Sequence, residues 1–239
     1  MRKIFFTCLT LLILPASSYA HGIWITERFG NHAIVYGHGA SDDPYDFKKI
    51  ISIDALDQTG NKSPLKITET KAHAILKTPR DTSVIFATFD NGFWSQTDDG
   101  KWHNKTKQET EGATFTGRYQ KFTTAIIDKT LPLFSPSGMK LEIVPLSNPL
   151  KLHQGDELSI QVFYDGIPAE GLKVIGEYTT DGESPPLVTD ATGKVTLKVR
   201  NQGLNVIAVS KTVAVNDNPE IEEEGYFSTL SFSLDHSHD

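Results

Sequence analysis

"HGIWITERFGNHAIVYGHG", residues 21–39, reads as two strand-like segments folded back on each other. Ile23 to Arg28 and His32 to Gly37 are strand-like, rich in β-branched and aromatic residues, with Phe29-Gly30 between them. If Arg28 faces Asn31 across a turn there, paired residues keep an index sum of 59 and His21 lies opposite His38. Opposed side chains in such a pair are about 4.5–5.5 Å apart at Cβ. A turn at Gly30-Asn31 gives a sum of 61 and makes the two histidines diagonal neighbours, about 7–8 Å apart. His32 falls at the other end of its strand, about 20 Å from His38 at ~3.4 Å per residue.

The residues before this hairpin carry a different signal. Arg2 and Lys3 precede an apolar run from Ile4 to Leu14, Pro15 breaks it, and Ser18-Tyr19-Ala20 supplies small residues for signal peptidase. Residues 1–20 read as a secretory signal, and cleavage after Ala20 makes His21 the first residue of the mature chain. The only cysteine, Cys8, lies in the signal, so the mature protein has no disulfide and no thiolate ligand. Removing Arg2 and Lys3 from the 23 basic residues leaves 21 against 30 acidic ones, a net charge of −9. That balance argues against nucleic acid and anionic membranes as partners and mildly favours cations. No later stretch approaches eighteen apolar residues, so no membrane insertion is expected.

After the hairpin, strand signals dominate. Ile50 to Leu56, Leu65 to Thr68, Ala72 to Thr78 and Ser83 to Phe89 are short and β-rich, bounded by turn residues such as Gln58-Thr59-Gly60-Asn61 and Asp90-Asn91-Gly92. "WSQTDDGKW" predicts a hairpin with Asp99-Gly100 near its tip and Trp94 and Trp102 on its flanks. Phe122 to Asp128 adds a strand. "DKTLPLFSPSGMK", residues 128–140, reads as a linker. Seven further strands follow: Leu141 to Leu146, Glu157 to Tyr164, Leu172 to Thr179, Leu187 to Thr189, Lys194 to Val199, Leu204 to Val213 and Tyr226 to Leu234. In the last, Tyr226, Leu230, Phe232 and Leu234 share one face and Phe227, Thr229, Ser231 and Ser233 the other, as in a strand with one side in the core. The expected fold is all-β: two immunoglobulin-like β-sandwiches in tandem, residues 21–127 and 141–235, with a polar tail at 236–239.

A terminal histidine offers both its ring and its α-amine to one ion. With a second imidazole it makes a three-nitrogen site of the histidine-brace type, suited to Cu(II), Ni(II) or Zn(II) rather than Mg(II) or Ca(II). His21 and His38 are the expected ligands, and His103, at the base of the Asp99-Gly100 hairpin, is a candidate third. His73 reads as a strand residue, His153 as a turn residue, and His236 and His238 as part of a solvated tail. "DDPYDF", residues 42–47, lacks calcium-loop spacing and reads as a surface loop. No nucleophile elbow, zinc-protease motif or P-loop occurs.

"HGIWI", "VYGHG", "FWSQTDDGKW", "RYQKF" and "GYFSTLSF" together resemble a family of periplasmic bacterial proteins of formally unknown function. Its members are often found beside nickel and cobalt uptake transporters of the energy-coupling-factor type. The C-terminal half also resembles immunoglobulin-like or transthyretin-like modules, through "DGIPAEGLKV" and "VTDATGKVTL". The resemblance implies a periplasmic protein that handles Ni(II) or Co(II) as cargo, with Cu(II) or Zn(II) as other ions the ligands suit, and that serves nickel or cobalt transporter components. It carries over His21, the Gly-His histidine His38, Trp94, Tyr119 and Lys121. The reading is one of binding, not catalysis. Its competitors are a copper histidine-brace oxidoreductase and a structural or adhesive β-protein without metal.

Overall fold

The computed structural model describes residues 21–130 and 135–234. Residues 1–20, read above as a secretory signal, and His236 and His238 lie outside the described residues. Among those described there are sixteen strands, two short 3-10 turns and no α-helix. The first half contributes β1 (Gly22–Arg28), β2 (Asn31–Gly37), β3 (Ile50–Asp57), β4 (Lys66–Glu69), β5 (Ala74–Lys77), β6 (Thr82–Thr97), β7 (Trp102–His103) and β8 (Ala113–Ile126). The second half contributes β9 (Leu141–Pro145), β10 (Glu157–Tyr164), β11 (Ile167–Pro168), β12 (Lys173–Ile175), β13 (Leu187–Val188), β14 (Lys194–Lys198), β15 (Leu204–Ala214) and β16 (Glu223–Ser233).

The first hairpin forms as its sequence dictates. Phe29 and Gly30 both take left-handed backbone angles, φ 53° and 69°, which a two-residue turn between right-twisted strands requires. Arg28 then faces Asn31, and the register runs to Gly22 opposite Gly37, an index sum of 59. β1 and β2 continue through β5 to β4 as a small antiparallel sheet.

The all-β class is as expected, but the two halves do not close as separate sandwiches. The large sheet runs β13-β12-β15-β16-β8-β6-β3, with β7 on β6. Its centre is a parallel pairing of β16 with β8, in which Phe227 meets Lys121 and Phe232 meets Ile126. Strands from both sides of the expected linker thus share one sheet. The core follows suit. On β6 and β8, Val84, Phe86, Phe122 and Ile126 face one way and pack with Leu141, Ile143, Ile160 and Leu230. Ile85, Ala87, Phe89 and Ala125 face the other way and pack with Ile23, Ile25 and Ile34 of the small sheet. A strand's two faces alternate residue by residue, so the central sheet is covered on one side by β1-β2-β5-β4 and on the other by the β9, β10, β14 and β11 sheet.

Two local readings change with it. Asp90-Asn91-Gly92 is not a turn between strands. β6 runs straight through it to Thr97, with a bulge between Asp90 and Gly92 where Gly92 takes φ 77° and its N–H is accepted by Asp90 Oδ1 at 2.9 Å. One extra residue bends the strand and re-aims its side chains without ending the ladder. The polar face of β16 is not solvated either: Thr229 and Ser231 are fully buried. Their hydroxyls donate to the carbonyls of Ile23 (2.6 Å) and Ile25 (2.8 Å). Those side chains dock β1 onto the central sheet and satisfy backbone groups that would otherwise be buried without partners.

Candidate metal centre

β1 begins immediately after His21 and β2 ends immediately before His38, so the Gly22–Gly37 pairing leaves the two histidines facing each other at the hairpin's open end. Their ring centroids are 6.3 Å apart, with planes tilted by 53°. A metal–nitrogen bond of about 2.0–2.1 Å puts an ion about 3.2 Å from a ring centroid, so two imidazoles on opposite sides of one ion stand about 6.4 Å apart. The observed spacing fits that arrangement.

The glycines beside the histidines have steric reasons. A Cβ on Gly22 would lie 2.7 Å from Phe227 Cε1 and 3.0 Å from Tyr178 Cε1, and one on Gly37 would lie 2.1 Å from the carbonyl oxygen of Ser41. Tyr178, from the second half of the chain, pins this end of the hairpin. Its buried hydroxyl accepts from Gly22 N–H at 3.0 Å and donates to Gly37 C=O at 3.0 Å. Its ring meets His38 edge-on at 6.0 Å.

His21 is oriented from two sides. Its ring stacks on Tyr36 (5.0 Å, 17°), which stacks in turn on buried Phe89 (5.4 Å, 19°). Burial, the largest cause, pushes the Tyr36 hydroxyl up to about 12, so it stays protonated. On its other side, His21 Nε2 lies 3.1 Å from Asp43 Oδ2. A carboxylate only accepts, so the proton sits on Nε2 and the lone pair on Nδ1. Nδ1 is also the ring nitrogen that can close a six-membered chelate with the residue's own α-amine. A carboxylate behind a ligating imidazole fixes its tautomer and raises its basicity. Asp43 is itself held: it accepts from Ser41 Oγ at 2.9 Å, and that oxygen accepts from His38 N–H at 2.6 Å. The 42–47 stretch is therefore more than a surface loop. Asp43 supports His21, while Asp42 pairs with His73 (2.6 Å) and Arg28 (3.2 Å).

The remaining histidines are placed elsewhere. His32 faces Glu27 near the turn, and burial lowers its pKa, partly offset by Glu27. His153 lies beside Asp156. His103 sits on β7 opposite Ser95, which pairs with Thr116 on β8. Lys121 is five residues further along β8, about 17 Å of strand, so His103 is not brought to the His21–His38 pair. Among the described residues no group of three or more His, Cys, Asp or Glu side chains is arranged to hold a metal ion. A third nitrogen, the His21 α-amine, is available only in a chain that begins at His21.

A cleft of about 760 Å³ opens beside His21 and Tyr36 and runs over β8 and β16 to Trp102. Lys121 lines it, 1% exposed, between the cross-strand partners Phe89 and Phe227. Its Nζ lies 5.7 Å from the Phe227 ring centroid and 6.0 Å from that of Tyr36. Burial above all, and then the charge of Lys49, pull its pKa down to about 7. Tyr119 donates to Glu223 at 2.8 Å; burial and then that carboxylate raise its pKa. Trp94 Nε1 donates to the carbonyl of Asn91 at 3.2 Å. The sequence reading missed Asp43, Tyr36 and Tyr178. An aspartate five residues after His38 was a visible signal for the first; nothing local marks the other two.

A family model described as a domain of unknown function, DUF4198, matches residues 18–212. A Haemophilus influenzae protein, named only as an uncharacterized protein, is 30% identical over 168 residues, 70% of this chain and 71% of that one. No solved structure matches.

Proposed function

The chain belongs to the DUF4198 family, and since that family prescribes no chemistry, we propose from the site itself that the protein binds one divalent transition-metal ion through His21 and His38. Imidazole and α-amine of His21 chelate the ion, and the His38 imidazole completes three nitrogens. The observation that carries this reading is the β1–β2 register, which leaves the two rings 6.3 Å apart at the hairpin's open end. Asp43 behind His21 Nε2 is the support such a ligand needs.

Three nitrogens with open coordination positions hold a dilute ion and still release it, as a carrier must, whereas a closed cage does not. We assign the protein to the periplasm and its cargo to Ni(II) or Co(II), delivered to a membrane transporter. That assignment rests on the motifs at the hairpin, at 93–102, at 118–122 and at 225–232. Nitrogen sites bind copper more tightly than nickel, and nickel more tightly than cobalt, so selectivity falls to supply and geometry. Amine and imidazole must both be unprotonated to bind, so affinity falls as the solution is acidified.

The test is calorimetric titration of Ni(II) and Co(II) into protein that begins at His21. One equivalent binds. A protein with one residue added before His21, and the His21→Ala and His38→Ala variants, bind roughly tenfold or more weakly. Equal binding by the extended protein overturns the site.

A further inference from the structure

We propose that the cleft beside His21 is a second binding site, for a small organic carboxylate held by the Lys121 ammonium against Tyr36 and Phe227. The cleft, at about 760 Å³, has the volume of a small-molecule site. Lys121 sits in its wall and is the only lysine among the largest fully buried side chains. A buried ammonium costs several kcal/mol unless an anion pairs with it. Among the described residues no carboxylate does. The charge nearest in effect is another cation, Lys49, whose Nζ bonds the side-chain oxygens of Asn91 (3.3 Å) and Asn104 (2.9 Å). Glu223 also lines the cleft, but it accepts from Tyr119, and it lies four residues along β16 from Phe227, about 13 Å.

The two rings offset only part of this cost, because 5.7 and 6.0 Å are at the outer limit of cation–π attraction. A lysine kept only to fill space would be replaced by methionine with a gain in stability. A ligand that brings the missing negative charge gives the amine a use.

The ligand class follows from the donors. Lys121 is the one buried cation in the lining; Lys173, the other lysine that lines the cleft, is exposed on β12, three strands over from β8, and Arg118, the nearest arginine in sequence, is engaged with Asp90. One ammonium suits a carboxylate; a phosphate dianion calls for an arginine fork or several donors. Trp94, Trp102 and Phe115 further along the cleft offer surface to a carbon skeleton. This site needs neither the free α-amine nor His38, so it stands or falls apart from the metal reading.

Trp94 and Trp102 line the cleft and report on it. The experiment titrates acetate, succinate, citrate and benzoate, with inorganic phosphate in parallel, while following tryptophan fluorescence of metal-free protein. At least one of the four acids should saturate the signal and phosphate should not. Lys121→Met, checked for folding by circular dichroism, should lose roughly tenfold or more in affinity for that acid, the loss expected when a charged hydrogen bond is removed, while His153→Ala, at an exposed turn outside the cleft, keeps it. In wild-type protein the bound acid should also shift the Lys121 ε-methylene NMR signal, a readout that does not depend on the variant's folding. No response to any of the four acids, equal binding by Lys121→Met, phosphate binding in their place, or an unmoved Lys121 signal overturns the proposal.

Discussion

Replacing Tyr178 by phenylalanine removes one oxygen and asks whether that oxygen holds the histidine pair together. The ring is 1% exposed and packs on Phe227 and Trp24, and phenylalanine preserves that packing. What disappears is the bridge from Gly22 N–H to Gly37 C=O, 3.0 Å on each side. Both backbone groups then lose their partner where water has poor access. A buried polar group left unsatisfied costs about 1–3 kcal/mol. The two are not additive, because the hairpin end opens to let water in, so the whole effect is about 2–3 kcal/mol. Opening is also what damages the site. Gly22 and Gly37 directly precede or follow the histidines, and any fraying between them separates the rings.

Chemical denaturation, amide exchange and metal titration on the one variant read the three consequences together. Stability should fall by about 2–3 kcal/mol, the Gly22 amide should exchange faster than those of Trp24 or Ile25, and metal affinity should weaken. A variant within about 0.5 kcal/mol of wild type, with the Gly22 amide still protected, refutes the claim that Tyr178 pins the hairpin. Lost stability with unchanged metal affinity refutes the link from pin to site.

Two further outcomes follow. Asp43→Ala removes the carboxylate behind His21 Nε2 and frees the other tautomer; metal affinity should drop about 10–100-fold in calorimetry, with stability little changed. Lys121 has a folded-state pKa of about 7 against 10.5 for the free side chain, so between those values the unfolded chain binds more protons than the folded one. Stability should therefore rise with pH across roughly 7 to 10, and Lys121→Met should abolish that rise and be the more stable protein below about pH 7, by a few kcal/mol in denaturant titrations.

Local chemistry made part of this molecule legible. A turn at Phe29-Gly30 or at Gly30-Asn31 gave two registers, with index sums of 59 and 61, and both bring His21 close to His38, so their juxtaposition could be read from residues 21–39 alone; the folded hairpin takes the first. The pairing of β8 with β16 has no such mark. It is parallel, it joins residues about a hundred positions apart, and no turn announces it, so the chain read as two sandwiches. The same gap hid the fate of Thr229 and Ser231. Alternation with polar residues normally signals a wet face, but here the hydroxyls are spent on the carbonyls of β1. Asp90-Asn91-Gly92 carries turn residues because a bulge and a turn both need a left-handed glycine; only the partner strand distinguishes them. Asp43 looked like surface because what makes it otherwise is a bond to a residue 22 positions back.

The way β1 is held gives the candidate site its particular sensitivity. Residues 22–26 are buried on both faces, Ile23 and Ile25 in one cluster and Trp24 in another, with the backbone tied to Thr229, Ser231 and Tyr178. A strand so fixed cannot slide, and a one-residue slip would exchange its two faces. The position of His21 is therefore set by the fold and does not depend on what precedes it, while its α-amine exists only if nothing does. Lengthening the chain by one residue at that point leaves both imidazoles, Asp43 and Tyr36 where they are and removes a single nitrogen donor. Few sites allow one ligand to be deleted with so little disturbance, and for that reason the extended protein, rather than either histidine variant, is the decisive comparison between a chelating chain end and two histidines that merely sit side by side.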